Sequence, residues 1–201
     1  MTEPLFNSAD SALKFAFNFS GQHYAKTMLI PIASNGICLG GLDGAAQAGI
    51  ILAEVKKLGK ITEALLTARY APAWLPCDCG HSCCSGKVKN RKWVDAIPYI
   101  VLEMSRHCFK GKERHTTLIL VQAYYVYLQT QRKIHQKEKE PKYDYTALAD
   151  IAGVHPTTVK RNMLEITRFL RGTRRKQGMD AVAYMRAEEA LIEKGIVGEM
   201  I

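Results

Sequence analysis

Apolar residues recur at three- and four-residue steps through most of the chain, a period that predicts helices packed through one face. Between Ser8 and Phe19, Leu13, Phe15, Phe17 and Phe19 alternate as in a strand. Ala12, Ala16 and the lack of β-branched residues favour a helix there, with the aromatics as core. A second short helix is expected from Tyr24 to Ile32. Glycines at 36, 40, 41 and 44 lead to a helix capped by Asp43, running to about Leu58 and stopped by Gly59. Thr62 is expected to cap the next helix, to Tyr70, with Leu65, Leu66 and Tyr70 inward. Trp93 to Phe109 carries Trp93, Ala96, Ile97, Ile100, Val101 and Met104 on one face, with Pro98 expected to kink it or shift its start. Thr116 to Gln131 is a strongly apolar support helix, in which Tyr124 and Tyr125 read as core. Residues 131–143 are polar, a helix end and a loop. Met179 to Glu193 closes the series as an amphipathic helix, with Val182, Met185, Ala190, Leu191 and Ile192 as its apolar residues and an acidic polar face.

Two short segments between these, Ala147–Ala152 and His155–Leu170, form a tight corner. Thr146 is expected to cap the first, and Gly153 to end it in the left-handed conformation that glycine tolerates. Val154 plugs the corner, and Pro156 opens the second helix, where its missing N–H costs nothing. Val159, Met163, Ile166 and Leu170 share the inward face, Met163 taking the packing that Asn162 does not supply. The spacing L-A-x-x-A-G-V-x-x-x-x-V is that of a helix-turn-helix. Thr157, Thr158, Lys160 and Arg161 lie off the apolar stripe near the start of the second helix, where short hydroxyls and long cations suit a major groove. Arg168, further along, and Arg174 and Arg175, after the helix, are candidates for phosphate contacts. An ordinary helical hairpin with a solvated basic face would show the same periodicity.

Charge favours the nucleic-acid reading. The net charge is +9, unevenly placed. Residues 1–76 hold 6 basic and 5 acidic side chains, residues 87–176 hold 20 and 8, and residues 177–201 hold 2 and 5. The surplus therefore surrounds the corner and the stretch leading to it, as a polyanion partner requires. No apolar run approaches the ~20 residues that span a bilayer, and the N-terminus lacks the pattern of a secretory signal, so a cytoplasmic location, at the host nucleoid, is expected. The glycines at 36–44 match neither phosphate-loop pattern.

The stretch PCDCGHSCCSG places Cys77, Cys79, His81, Cys83 and Cys84 within eight residues. In a reducing compartment that density points to metal ligation, and thiolates with an imidazole suit a structural Zn²⁺. Adjacent Cys83 and Cys84 do not easily share one ion, so ligands from Cys108, His107 or Cys38 are an alternative. A labile disulfide or unliganded thiols are the others. No glutamate or histidine stands beside the cluster as a general base, which argues against an enzyme.

The segment LILVQAYYVY followed by YTALADIAGVHPTTVKRNMLEITRFLRG resembles the C-terminal part of one group of phage late antitermination proteins called Q, across residues 118–172. In those proteins the helix-turn-helix is like that of region four of a bacterial sigma factor. The longer layout of GLDGAAQAG, PCDCGHSCC, the corner and GTR is also similar to phage and prophage DNA-binding proteins. A charged loop of ten residues before the corner and the acidic final helix depart from the Q pattern. The expectation is a mostly α protein: a helical N-terminal region (1–76), a cysteine-rich turn and connecting helix (77–115), a helix-turn-helix (116–176) and a C-terminal amphipathic helix (177–201). The resemblance implies double-stranded DNA and host RNA polymerase as partners, in late-gene transcription antitermination. The final helix could also pair two copies. The rivals are an RNA-binding or nucleic-acid-processing metalloprotein, and a polymerase-binding adaptor without specific DNA readout.

Overall fold

The computed structural model describes residues 5–19, 41–77, 79–81, 85–109, 114–133 and 143–198. The helix expected over Tyr24–Ile32, Cys38, Cys83, Cys84 and residues 134–142 lie outside these. Among the described residues the fold is mostly α: eight helices and two short antiparallel strand pairs.

Helix α1 (Ala9–Phe19) buries Leu13, Phe15 and Phe17, as its composition predicts. Helix α2 spans Gly41–Lys57 and packs on α1; it starts two residues before Asp43, which lies in its first turn rather than at its cap. Gly59, at φ +95°, turns the chain into α3 (Lys60–Tyr70). Thr62 is therefore not a cap. It lies inside α3 and is buried.

Strand β1 (Trp74–Pro76) pairs with β2 (Lys87–Lys89), with Leu75 opposite Val88. Neither strand was expected, since three residues are too few for an alternating pattern to register. The cysteine-rich segment is the loop of this hairpin, closed by Cys77 N–H donating to Gly86 O at 2.9 Å. The hairpin is tied to the helices at its base. Gln129 donates to the carbonyls of Ala68 (3.1 Å) and Ala71 (2.7 Å) and accepts from Ala73 N–H (3.1 Å). Trp93 Nε1 donates to Ala68 O, and Asn90 Nδ2 to Pro72 O. Asn90 also caps α4 (Arg91–His107) by accepting from Lys92 N–H. All six residues expected on the inward face of α4 are buried, and Pro98 lies within the helix rather than at its start.

Helix α5 (Arg114–Lys133) packs against α3, α4 and the pair that follows, α6 (Tyr145–Ala152) and α7 (Pro156–Leu170). Tyr124 and Tyr125 are core, as expected. After α7 a small hairpin, β3 (Gly172–Thr173) and β4 (Lys176–Gln177), leads to α8 (Met179–Glu193). Helix α8 returns to the body and packs on α1, α2, α3 and α7. Its inward stripe is Asp180, Ala183, Ala187 and Leu191, not the Val182–Met185 flank that hydrophobicity favours. The small alanines let α8 lie close to its neighbours. One contiguous core runs from Phe6 to Val197. No described helix is long and apolar enough to cross a membrane.

Candidate nucleic-acid interface

The entry to α6 is set by Asp144, whose carboxylate accepts from Thr146 N–H (3.1 Å) and Ala147 N–H (3.0 Å). The cap is thus Asp144 and not Thr146: a carboxylate accepts from two first-turn donors more strongly than a hydroxyl does. Rings of Tyr127, Tyr143 and Tyr145, 5.1 and 6.2 Å apart in sequence, brace this entry on α5. Burial, then the neighbouring Tyr127, raises the Tyr143 hydroxyl above the usual tyrosine range.

Ala149 and Ala152 are buried between the helices, and Gly153 ends α6 at φ +65°, ψ +32°. That is the left-handed stop the sequence predicts. His155 then caps α7: its Nδ1 accepts from Thr157 N–H at 3.3 Å and contacts Thr157 Oγ1 at 2.8 Å. A ring nitrogen that accepts the backbone proton is unprotonated, so a neutral His155 carries its proton on Nε2. Val159, Asn162, Met163, Ile166 and Leu170 are buried, which fixes the roll of α7 about its axis.

That roll decides which side chains face out. Thr157, Lys160, Arg161 and Arg168 are exposed, and Thr158 is half-buried beside them. Thr157 and Arg168 are eleven helical steps apart, about 16 Å at 1.5 Å each, comparable with the ~12 Å width of a major groove. Arg174 and Arg175 are exposed at the turn between β3 and β4. Gly172, at φ +94°, and Gly178 close this hairpin so tightly that a Cβ at either would overlap backbone. Among the described residues, none of Lys160, Arg161, Arg168, Arg174, Arg175 and Lys176 belongs to a salt bridge. The seven positions selected from sequence thus divide into five along α7 and two on the adjoining hairpin. Sequence reasoning missed Leu164, 51% exposed within the α7 face, and the capping by His155. Helical periodicity from Arg161 and Arg168 would have found the leucine.

Protein-family models, curated proteins and solved structures give no match to this chain.

In the cysteine loop, Cys77 is half-buried, while Cys79 and His81 are exposed. Among the described residues no three His, Cys, Asp or Glu side chains gather as a metal site. Of the alternative ligands, His107 meets Glu103 at 2.9 Å and stacks on Phe169, and Cys108 Sγ lies 3.5 Å from Met104 O. Both sit at the end of α4.

Proposed function

We propose that this chain is a sequence-specific double-stranded DNA-binding transcription regulator that uses α6 and α7 as a helix-turn-helix. The observation that carries the reading is the exposed face of α7. Its hydroxyls and cations stand outward on a helix whose roll is fixed by five buried residues, and its cations have no acidic partners among the described residues. Thr157, Thr158, Lys160 and Arg161 enter the major groove. Arg168, Arg174 and Arg175 hold flanking phosphates, which sets register without reading sequence. The resemblance to the Q group makes late-gene antitermination with host RNA polymerase the specific role proposed. Four of Cys77, Cys79, His81, Cys83 and Cys84 would hold a structural Zn²⁺, which would cross-link the segment between β1 and β2.

Selection of duplexes from a random pool, followed by mobility shift on the selected and on scrambled sequence, tests the binding. A preference of at least tenfold, lowered by Arg161→Ala by about 1–3 kcal/mol, is expected. Equal loss on all sequences would confine Arg161 to the backbone. No shift at any salt would end the DNA reading. Elemental analysis of the purified chain tests the zinc, with about one ion per chain expected.

A further inference from the structure

Leu164 is the apolar residue on the outward face of α7. It lies three residues after Arg161 and four before Arg168, so the two arginines flank it one turn away on each side. About half of its surface, 51%, is open, while Met163 and Ile166 beside it are buried in the core. Its backbone is thereby held in place. A duplex drawn to the flanking cations meets Leu164 between them. Leucine can neither donate to nor accept from a base edge, and the apolar group that the major groove offers is the C5-methyl of thymine. We propose that Leu164 is a specificity-determining residue that selects thymine by packing on that methyl. The inference rests on the DNA reading above and deepens it.

The test replaces each thymine of a selected duplex, one at a time, with deoxyuridine, which removes only the methyl. Full-length wild type should lose about fourfold in affinity at one or two positions, the worth of one buried methyl group. Leu164→Ala should bind the thymine duplex about fourfold more weakly or worse and lose nothing further on uracil substitution there. Alanine is the best helix former, so this variant keeps α7. Leu164→Met should restore the response to the methyl. The inference is overturned if wild type and Leu164→Ala respond alike to uracil while both bind specifically. It is also overturned if Leu164→Ala leaves DNA affinity intact and instead abolishes retention of RNA polymerase, which would assign the leucine to a protein contact. Failure of wild type to select any sequence would overturn the DNA reading and this inference together.

Discussion

Asp180 lies in the first turn of α8, 3% exposed, and accepts from the Tyr125 hydroxyl at 2.8 Å and the Tyr124 hydroxyl at 3.4 Å. Burial alone would lower the pKa of the nearby Arg69 guanidinium. The fields of Tyr70 and Asp180 nevertheless hold it above the usual arginine range. One carboxylate at the start of α8 thus accepts from two hydroxyls on α5, and its field reaches a cation on α3. Asp180→Ala strands the two hydroxyls. A buried donor left without its acceptor costs about 1–3 kcal/mol, so two stranded hydroxyls cost about 2–6 kcal/mol. We expect a loss of about 2–6 kcal/mol, against a total stability of about 5–15 kcal/mol for a typical protein. At roughly 2–4 °C per kcal/mol for a chain of this size, Tm should fall by about 4–24 °C. Asp180→Asn retains an accepting oxygen and should lose less. Urea and thermal melts followed by circular dichroism measure both. Combining Asp180→Ala with Tyr125→Phe should lose less than the sum of the singles, because the phenylalanine has no hydroxyl to strand. A Tm for Asp180→Ala within a degree of wild type would refute the reasoning.

Three further outcomes follow from the same geometry. Burial and then Asp180 push the hydroxyls of both Tyr124 and Tyr125 above the usual tyrosine range. Above pH ~10 the unfolded chain releases these protons first, so stability should fall as pH rises past that point; tyrosinate absorbance for the pair should appear only together with loss of helicity. Gly178→Ala should cost about 1–3 kcal/mol, since its Cβ would overlap Leu170 O and Gly172 N, whereas Gly49→Ala, with open space around it in α2, should gain about 0.5–1 kcal/mol; paired urea melts separate the two. Replacing Arg174 and Arg175 by alanine should weaken binding alike on selected and scrambled duplexes and flatten the slope of log affinity against log salt by about 0.9 per lost phosphate contact.

The long helices were legible because their apolar faces repeat over several turns. Every residue chosen for the inward face of α4 is buried, and Gly153 ends α6 as its type predicts. Caps were read less well. Thr62 and Thr146 looked suitable by residue type, but the helix starts were displaced toward Gly59 and Asp144, where backbone geometry and a carboxylate did better. The inward face of α8 was read only in part: Leu191 is buried as expected, whereas Val182 and Met185 are not. Hydrophobicity points to Val182 and Met185, while close packing favoured the alanine stripe, and buried donors on α5 drew in Asp180. The exposed cations of the candidate site were legible from their positions off the apolar stripe. Leu164 shares their face by the same periodicity but was passed over, because an apolar residue in a helix is ordinarily assigned to the core.

Phe6 is fastened to the far end of the sequence. It forms a parallel bridge with Val197, donating to Ile196 O at 3.2 Å and accepting from Gly198 N–H at 3.3 Å. The consequence is one of timing. At about 5–20 residues per second, roughly 10–40 s of synthesis separate the two halves of this clasp. Through that interval α1, α2 and α3 lack the cover that α8 supplies, so the nascent chain should depend on holding chaperones far more than the finished one.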